Sequence, residues 1–590
     1  MRIKTIFFLL LISGLSLQAQ QLQFSKATLQ KNLYFLASDS LKGRFPGTAE
    51  DKIAVSFIRN YFESNHLILP EENGLQPFTV TTSVEASSEN SLAINTTNGV
   101  YGTDFSLYTF SSNTTLSADV VFTGFGMSIE TDDFQWNDYE NLDVKDKWVL
   151  VLKGDPEPEN NDSRFIPFAD TRTKTLFARD KGAKGILFIG GSKNNPSDEL
   201  APLLFERAVV SAGIPAIDIK KVWAESHLLG NEMTIDSLEK LIIAGGKPYQ
   251  FSLNSKVTAT TSLVRNDVTT YNIIGILVGS DPVLKDEYVV IGAHYDHLGM
   301  GGQGSGSRMP DTIAAHIGAD DNASGTTGVM ELAAMLSKNQ VQLKRSVLFV
   351  LFGAEEMGLL GSRHFVKNLP LSKEKVVAML NLDMIGRLNE KSAVAIGGTG
   401  TAKEIDSLLT NVAKKGNLQL SFSPEGFGAS DHASFYAENI PVMFFSTGAH
   451  SDYHTPLDSP DKINYDGMIQ VLELVGDVAI AIANSDEQLN FTEAGPKERA
   501  TGRRGFKVTL GIMPDFTSNS TDGLGVGGVT KGGPADRGGM LKGDKITGIN
   551  GMPVGTIYDY MNRLKQLKPG QRVNVDVERN NEKMILIVDL

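Results

Sequence analysis

Cysteine is absent from all 590 positions, which excludes disulfide frameworks, thiol nucleophiles and every cysteine-ligated zinc or iron–sulfur site. Any metal must then be held by histidine and carboxylates. Positive charge is short as well: 55 Lys and Arg face 69 Asp and Glu, a formal charge of -14, so no basic field exists to hold a nucleic-acid backbone or an anionic membrane. No apolar run reaches the ~20 residues that a membrane span needs, and no internal repeat or low-complexity tract is present. Histidine is scarce, with nine in the chain, yet seven of them (His294, His297, His316, His364, His432, His450 and His454) crowd into one stretch. That crowding points to where a metal would lie.

What remains is an ordinary globular composition, 41% hydrophobic and 21% charged, at a length that suggests about three or four domains. Residues 1–19 carry Arg2 and Lys4, an apolar run Ile6–Leu17 and the small-residue end Leu17-Gln18-Ala19. This pattern predicts a signal peptide cleaved after Ala19, hence an exported protein, periplasmic or extracellular. Residues 20–114 open with helical periodicity at Leu29, Leu33 and Leu36, then at Ile53, Phe57, Ile58, Tyr61 and Phe62. They are expected to supply N-terminal helices that flank a larger domain. Residues 115–262 change to short strand-type runs such as Asp119–Phe125, Trp148–Lys153, Gly185–Ile189 and Ile214–Ile217, the pattern of a separate β-rich insert.

From 263 to 485 apolar strand runs alternate with helical patterns, which predicts an α/β domain with a mostly parallel sheet sandwiched by helices. Residues 486–505 are polar without an apolar period and read as a linker. Residues 506–590 have the size of one small α+β domain, with strands at Lys545–Ile549, Val573–Glu578 and Met584–Val588 and a helix around Tyr558–Leu567.

In an open α/β sheet, ligands bind beyond the carboxyl ends of the strands, so the polar residues that end the apolar runs matter most. Tyr288–Ala293 ends in His294-Tyr295-Asp296-His297, Val347–Phe352 in Gly353-Ala354-Glu355-Glu356, and Val376–Leu382 in Asp383. The loop after Val442–Ser446 carries His450, Asp452 and His454, and Gly318–Gly325 forms an acidic loop that opens a helix. Two neutral imidazoles and three carboxylates on one rim are what a pair of divalent cations requires. Asp320 and Asp321 compete for one role, because either can cap the following helix. Glu355 and Glu356 compete too: neighbours on an extended backbone point opposite ways, so one can ligate while the other serves as general base. Asp296, two residues after His294, suits the fixing of the imidazole tautomer. His297, His316, His432 and His450 read as residues behind the ligands, in the pocket wall or on the surface, and His364 as a structural residue of a helix.

These motifs, with Asn381-Leu382-Asp383-Met384, Ser430-Asp431-His432 and His454-Thr455-Pro456, resemble the secreted di-zinc aminopeptidase family that includes aminopeptidase S and, more distantly, the glutamate carboxypeptidases. The resemblance implies a zinc-exopeptidase fold and two Zn2+ ions. It implies that Asp321 bridges them, that His294 and Asp383 hold one and Glu356 and His454 the other, and that Glu355 is the general base acting on a metal-bridged water. The insert is similar to a protease-associated domain, and the C-terminal region, with Gly532-Gly533-Pro534-Ala535-Asp536 and the loop Leu510-Gly511-Ile512-Met513, to a PDZ domain. The implied function is an exopeptidase removing N-terminal residues from peptides, with the PDZ unit capturing a peptide tail.

Two other functions fit the same residues. A carboxypeptidase or dipeptidase would need an arginine, such as Arg308, Arg363 or Arg387, to pair with the substrate carboxylate. A non-catalytic peptide-binding protein would need a decayed site, which intact ligand candidates argue against.

Overall fold

The computed structural model describes residues 23–590 apart from 71, 132–133, 161–162, 204–210, 230–232, 339–342, 415, 496, 498–507, 515–522, 531–532, 556–559, 561–562, 565–566 and 568–569. The expected signal peptide lies outside the described residues, as does most of the helix expected around Tyr558–Leu567.

The runs Tyr288–His294, Ser346–Phe352 and Val376–Leu382 are apolar nearly without interruption, too apolar for a sheet with one wet face. They pair in parallel at the centre of an eight-stranded sheet, with Val442–Ser446 joining Val376–Leu382 on the outer side. The full order is Leu75–Ala86, Leu263–Leu277, Ser346–Phe352, Tyr288–His294, Val376–Leu382, Val442–Ser446, Ala393–Gly397 and Gln419–Ser423. Antiparallel pairings lie to either side of this parallel core.

Alternate side chains go to opposite faces. Val289, Ile291, Val347, Phe349 and Leu351 share one core with helices Lys26–Leu36, Ala49–Ser64, Gly325–Lys338 and Tyr465–Asn484. Val290, Leu348, Val350 and Phe352 meet Phe365 and Phe435 from helices Leu360–Lys367 and His432–Ala437 on the other. The first two helices start where the sequence caps them: Ser25 Oγ accepts from the Thr28 amide at 3.2 Å, and Thr48 Oγ1 from that of Asp51 at 3.1 Å.

A second eight-stranded sheet draws on strands between Ser91 and Thr261 and has its own apolar core around Trp148, Leu150 and Leu187. Three helices, Thr171–Asp180, Lys221–Leu228 and Ile235–Gly245, pack with it. The boundary expected at 115 is corrected here: Ser91–Ile94, Thr97–Gly99 and Phe105–Leu107, assigned from sequence to the N-terminal helices, pair within this second sheet. Only pairing partners far along the chain reveal this, because three- and four-residue strands have too little periodicity to read. The unit hangs on a two-strand ribbon, Leu75–Ala86 against Leu263–Leu277, whose far end pairs Ala86 with Leu263.

The first part of the expected linker is also not a linker. The amide of Asn490 donates to Glu404, Phe491 bridges Ala402, and the Ala494 amide donates to Tyr436 Oη at 2.9 Å. Polar composition alone cannot distinguish a free tether from a strap whose hydrogen-bond partners lie in distant elements. The C-terminal unit places strands at Leu524–Val529, Lys545–Ile549, Arg572–Arg579 and Glu582–Asp589 over a core that includes Leu510, Val526, Ile546 and Val575. No helix among the described residues is long and apolar enough to cross a membrane.

Candidate metal centre

The parallel strands deliver the ligand-type residues to one edge of the sheet. His294 is the last residue of its strand and pairs with Phe352, Asp383 directly follows Leu382, and Glu355 and Glu356 lie just past Phe352. The acidic loop turns at Gly318, whose φ of 52° puts a hypothetical Cβ 2.0 Å from the Asp321 carbonyl oxygen, so only glycine closes it. Asn322 then ties the loop to the neighbouring strand end, its Nδ2 donating to the Leu382 carbonyl at 2.9 Å while its Oδ1 accepts from the Gly325 amide at 2.8 Å.

This framework separates the two adjacent aspartates. Asp320 turns away: its Oδ1 accepts from the Gly386 amide at 2.7 Å and its Oδ2 lies 3.2 Å from His450 Nε2. Asp321 turns toward the histidines. Its Oδ1 is 3.4 Å from His294 Nε2, and its Oδ2 is 3.1 Å from His454 Nε2. Asp383 Oδ1 stands 3.6 Å from His294 Nε2, and Glu356 Oε2 3.3 Å from His454 Nε2. Around a tetrahedral ion with bonds of about 2.0–2.1 Å, ligand atoms are about 3.3 Å apart. The spacings cluster about that edge length. Most exceed a good hydrogen bond.

The oxygens are also short of other partners. Asp321 Oδ2 and Asp383 Oδ1 are buried with no hydrogen-bond donor, although buried acceptors are nearly always satisfied. The second oxygen of Asp383 is held by Ser430, whose Oγ donates at 2.7 Å and itself accepts from Asn381 Nδ2. Two sets of ligand-type atoms thus form, His294 with Asp321 and Asp383, and His297 with Asp321 and Glu356, while His454 Nε2 stands 3.1 and 3.3 Å from the carboxylates of that second set. This donor chemistry, imidazole and carboxylate without thiolate, fits a divalent metal such as zinc.

Two histidines approach Glu356. His454 does so at the spacing just given, whereas His297, fully buried, brings Nδ1 to 2.7 Å from Glu356 Oε1. That contact has hydrogen-bond length, shorter than the separation of two ligands on one ion. His297, expected behind the ligands, in the pocket wall or at the surface, stands directly against the centre.

The two glutamates do not sit on extended backbone as expected. They lie in a turn clamped by Asp296, whose carboxylate accepts from the Glu355 amide at 2.9 Å and from the Glu356 amide at 3.3 Å. The expected contact between the Asp296 carboxylate and the His294 ring is 3.8 Å long, and the nearer partner of His294 Nδ1 is the Asp296 carbonyl oxygen at 3.2 Å. Asp296 therefore holds the imidazole through its backbone and the glutamate turn through its side chain.

The electrostatics pull the glutamates apart. Burial pushes the Glu355 carboxyl well above its ordinary range; His294 opposes this, and Asp431, Glu356 and Asp383 reinforce it. Burial would raise Glu356 too, but His454 and His297 outweigh it and hold its pKa below the ordinary value. Asp321 is likewise driven down by His297, His294 and His454 against the effect of burial. The two neighbouring carboxyls are thus pushed in opposite directions, the electrostatic pattern that acid–base work beside ligation requires.

Several contributors escaped the sequence. Asp458 Oδ2 accepts from the amides of Asp320 and Asp321 at 2.8 and 3.0 Å, so it shapes the loop from below. Its signal was available, an acid four residues after His454 in His454-Thr455-Pro456-Leu457-Asp458. Tyr453 stacks on His454 with ring centroids 3.8 Å apart. Ala354, Met384 and His454 have φ of 54°, 57° and 57° without being glycine; such strain gathers at functional sites and has no sequence signature. The remaining histidines are engaged elsewhere: His316 Nε2 lies 2.8 Å from Ser307 Oγ, His364 stacks on Phe78 and His432 packs on Phe444.

Two parts of the chain match known families. Residues 272–479 match Peptidase family M28, and residues 508–590 match the PDZ domain family. The aminopeptidase YwaD of Bacillus subtilis (strain 168) is 29% identical over 343 residues, covering 56% of this chain and 62% of its own. Leupeptin-inactivating enzyme 1 of Streptomyces exfoliatus is 31% identical over 193 residues, 32% of this chain and 39% of its own. The chain thus spans less than two thirds of either relative. Among solved structures, an aminopeptidase from Aneurinibacillus sp. strain AM-1 aligns over 80% of this chain and 96% of its own, with 22% identity and a TM-score of 0.48. By the two family matches, residues 272–479 form a Peptidase family M28 domain and residues 508–590 a PDZ domain.

Proposed function

We propose that this protein is an exported, zinc-dependent aminopeptidase, with two zinc ions held by His294 and Asp383 on one side, Glu356 and His454 on the other, and Asp321 between them. The observation that carries this is the sharing of Asp321, whose two carboxylate oxygens each face a different imidazole at 3.4 and 3.1 Å. When bound, the two dications supply Lewis acidity toward water and a peptide carbonyl. Glu355 takes the proton of the attacking water and returns it to the leaving amine. Its raised pKa suits a group that must both accept and give a proton. Asp296 keeps Glu355 in place through its amide. Support for zinc also comes from the donor set, and support for aminopeptidase action from the names of the relatives.

Charge favours the amino end of the substrate. Asp296, Asp321, Glu355, Glu356, Asp383 and Asp431 gather around His294 and His454, and a surround this rich in carboxyl groups suits a positive α-ammonium better than a substrate carboxylate. The arginines a carboxypeptidase could use are engaged or placed otherwise. Arg387 Nη2 pairs with Asp452 and Asp458, Arg308 Nη2 donates to Thr530 Oγ1, and Arg363 is exposed on its helix. The expected result is hydrolysis of a free-amine aminoacyl amide, abolished by chelator, with the N-acetylated form untouched. Cleavage of only the acetylated form would sink the aminopeptidase assignment. Export is tested separately: the mature protein recovered from a native culture should begin at Gln20, and an intact Met1 on the accumulated protein would count against it.

A further inference from the structure

Arg44 is 1% exposed, and its guanidinium reaches no carboxylate within ion-pair distance among the described residues. Every acceptor is a backbone carbonyl: Nε donates to Tyr295 at 2.6 Å, Nη1 to Leu36 and to Ile317, the latter at 2.7 Å, and Nη2 to Gly318 at 3.2 Å. A cation buried among neutral partners is costly, and a loop could be tied down by neutral groups. The acceptors explain the choice. Tyr295 lies between His294 and Asp296, and Ile317-Gly318 opens the loop that presents Asp320 and Asp321. One rigid fork, with donors along two edges, spans both.

The backbone is bent to achieve this. Lys42, Gly43 and Arg44 have successive φ of 41°, 74° and 49°, a left-handed run that only glycine adopts freely. At Gly43 a Cβ would lie 2.3 Å from the His316 carbonyl oxygen. The N-terminal segment is thereby pressed against the chain that leads into the acidic loop. Burial lowers the Arg44 pKa to about 10, while Asp296, Asp321, Asp458 and Glu356 act in the opposite sense, so the guanidinium lies in the field of the carboxylate cluster without touching it.

We propose that Arg44 is a positioning residue for the metal centre: its guanidinium fastens the strand end bearing His294 to the loop bearing Asp321, and so holds the ligands at metal spacing before any metal arrives. This rests on the metal site proposed above. Lysine keeps the charge but, as a point donor on a flexible stem, cannot reproduce the fork.

The test uses the full chain, Arg44→Lys, Gly43→Ala and, as a control for stability alone, Leu33→Ala in the Lys26–Leu36 helix. Zinc affinity is measured by chelator competition well below each variant's Tm. Arg44→Lys is expected to weaken zinc by about 10- to 100-fold, the range for groups that orient ligands from behind. Leu33→Ala lowers Tm and leaves zinc affinity within about twofold, since it removes packing only. Wild-type zinc affinity in Arg44→Lys, with a fall in Tm like that of Leu33→Ala, would overturn the proposal. Should Arg44→Lys not fold, Gly43→Ala decides, because it keeps the guanidinium but displaces its backbone. Weakened zinc supports the role, and unchanged zinc refutes it. Failure of the wild-type chain to bind zinc would instead strike at the metal site itself.

Discussion

Glu355→Gln keeps its zinc and loses its rate, with kcat for an aminoacyl amide falling by about 10²- to 10⁴-fold, the contribution of a well-placed general base. Glutamine matches glutamate in size, retains the amide that the Asp296 carboxylate holds, and cannot accept a proton at neutral pH. Zinc content should stay at the wild-type value, because Glu355 Oε2 stands 3.9 Å from His294 Nε2, the longest of the separations from the two imidazoles to the acidic set around Asp321. Metal analysis together with steady-state kinetics checks both halves. A variant with full zinc and nearly wild-type kcat would show that another group moves the proton. A variant that loses its zinc would make Glu355 a ligand instead.

Asp321→Asn has the opposite signature, since the metal itself is lost. Groups that merely orient ligands are worth about 10- to 100-fold in affinity, so a carboxylate shared between two ions should exceed about 100-fold. Bound zinc stabilises the folded state by mass action, about 2.7 kcal/mol at a concentration of 100 times Kd. The rise in Tm on adding zinc should therefore disappear in Asp321→Asn. Asp320→Asn is the matched control: it sits next door, equally buried, yet faces Gly386 and His450. It should keep both zinc and the zinc-dependent Tm. Equal loss in the two variants, or equal retention, would remove the distinction drawn between these neighbours.

Legibility in the sequence varied with the length scale of the cause. The long buried strands announced themselves, because Tyr288–His294 and Val376–Leu382 are apolar enough to admit no wet face. Ala393–Gly397 and the edge strand Gln419–Ser423 did not, since the latter has two apolar residues in five and owes its state to the strand beside it. Ser91–Ile94 and Phe105–Leu107 were misassigned for the same reason: each pairs with a strand more than a hundred residues away. The polar stretch after 486 looked like a tether because its docking partners, Glu404 and Tyr436, lie in other elements.

The candidate site shows the same division. By itself the sequence determined the chemistry: without cysteine, and with seven of nine histidines in one region, a metal would have to be held by histidines and carboxylates of that region. Residue type and position along the chain suffice for that, because a buried strand must deliver its terminal residues to one edge of the sheet. Only the tertiary structure decided orientation. It turned Asp321 inward and Asp320 outward, brought His297 against Glu356, gave Asp296 the glutamate turn to hold, and drew Arg44 in from 250 residues before the strand end it touches. Those outcomes depend on where backbone amides and carbonyls point after folding, and a direction in space is set by contacts among distant segments rather than by any run of letters.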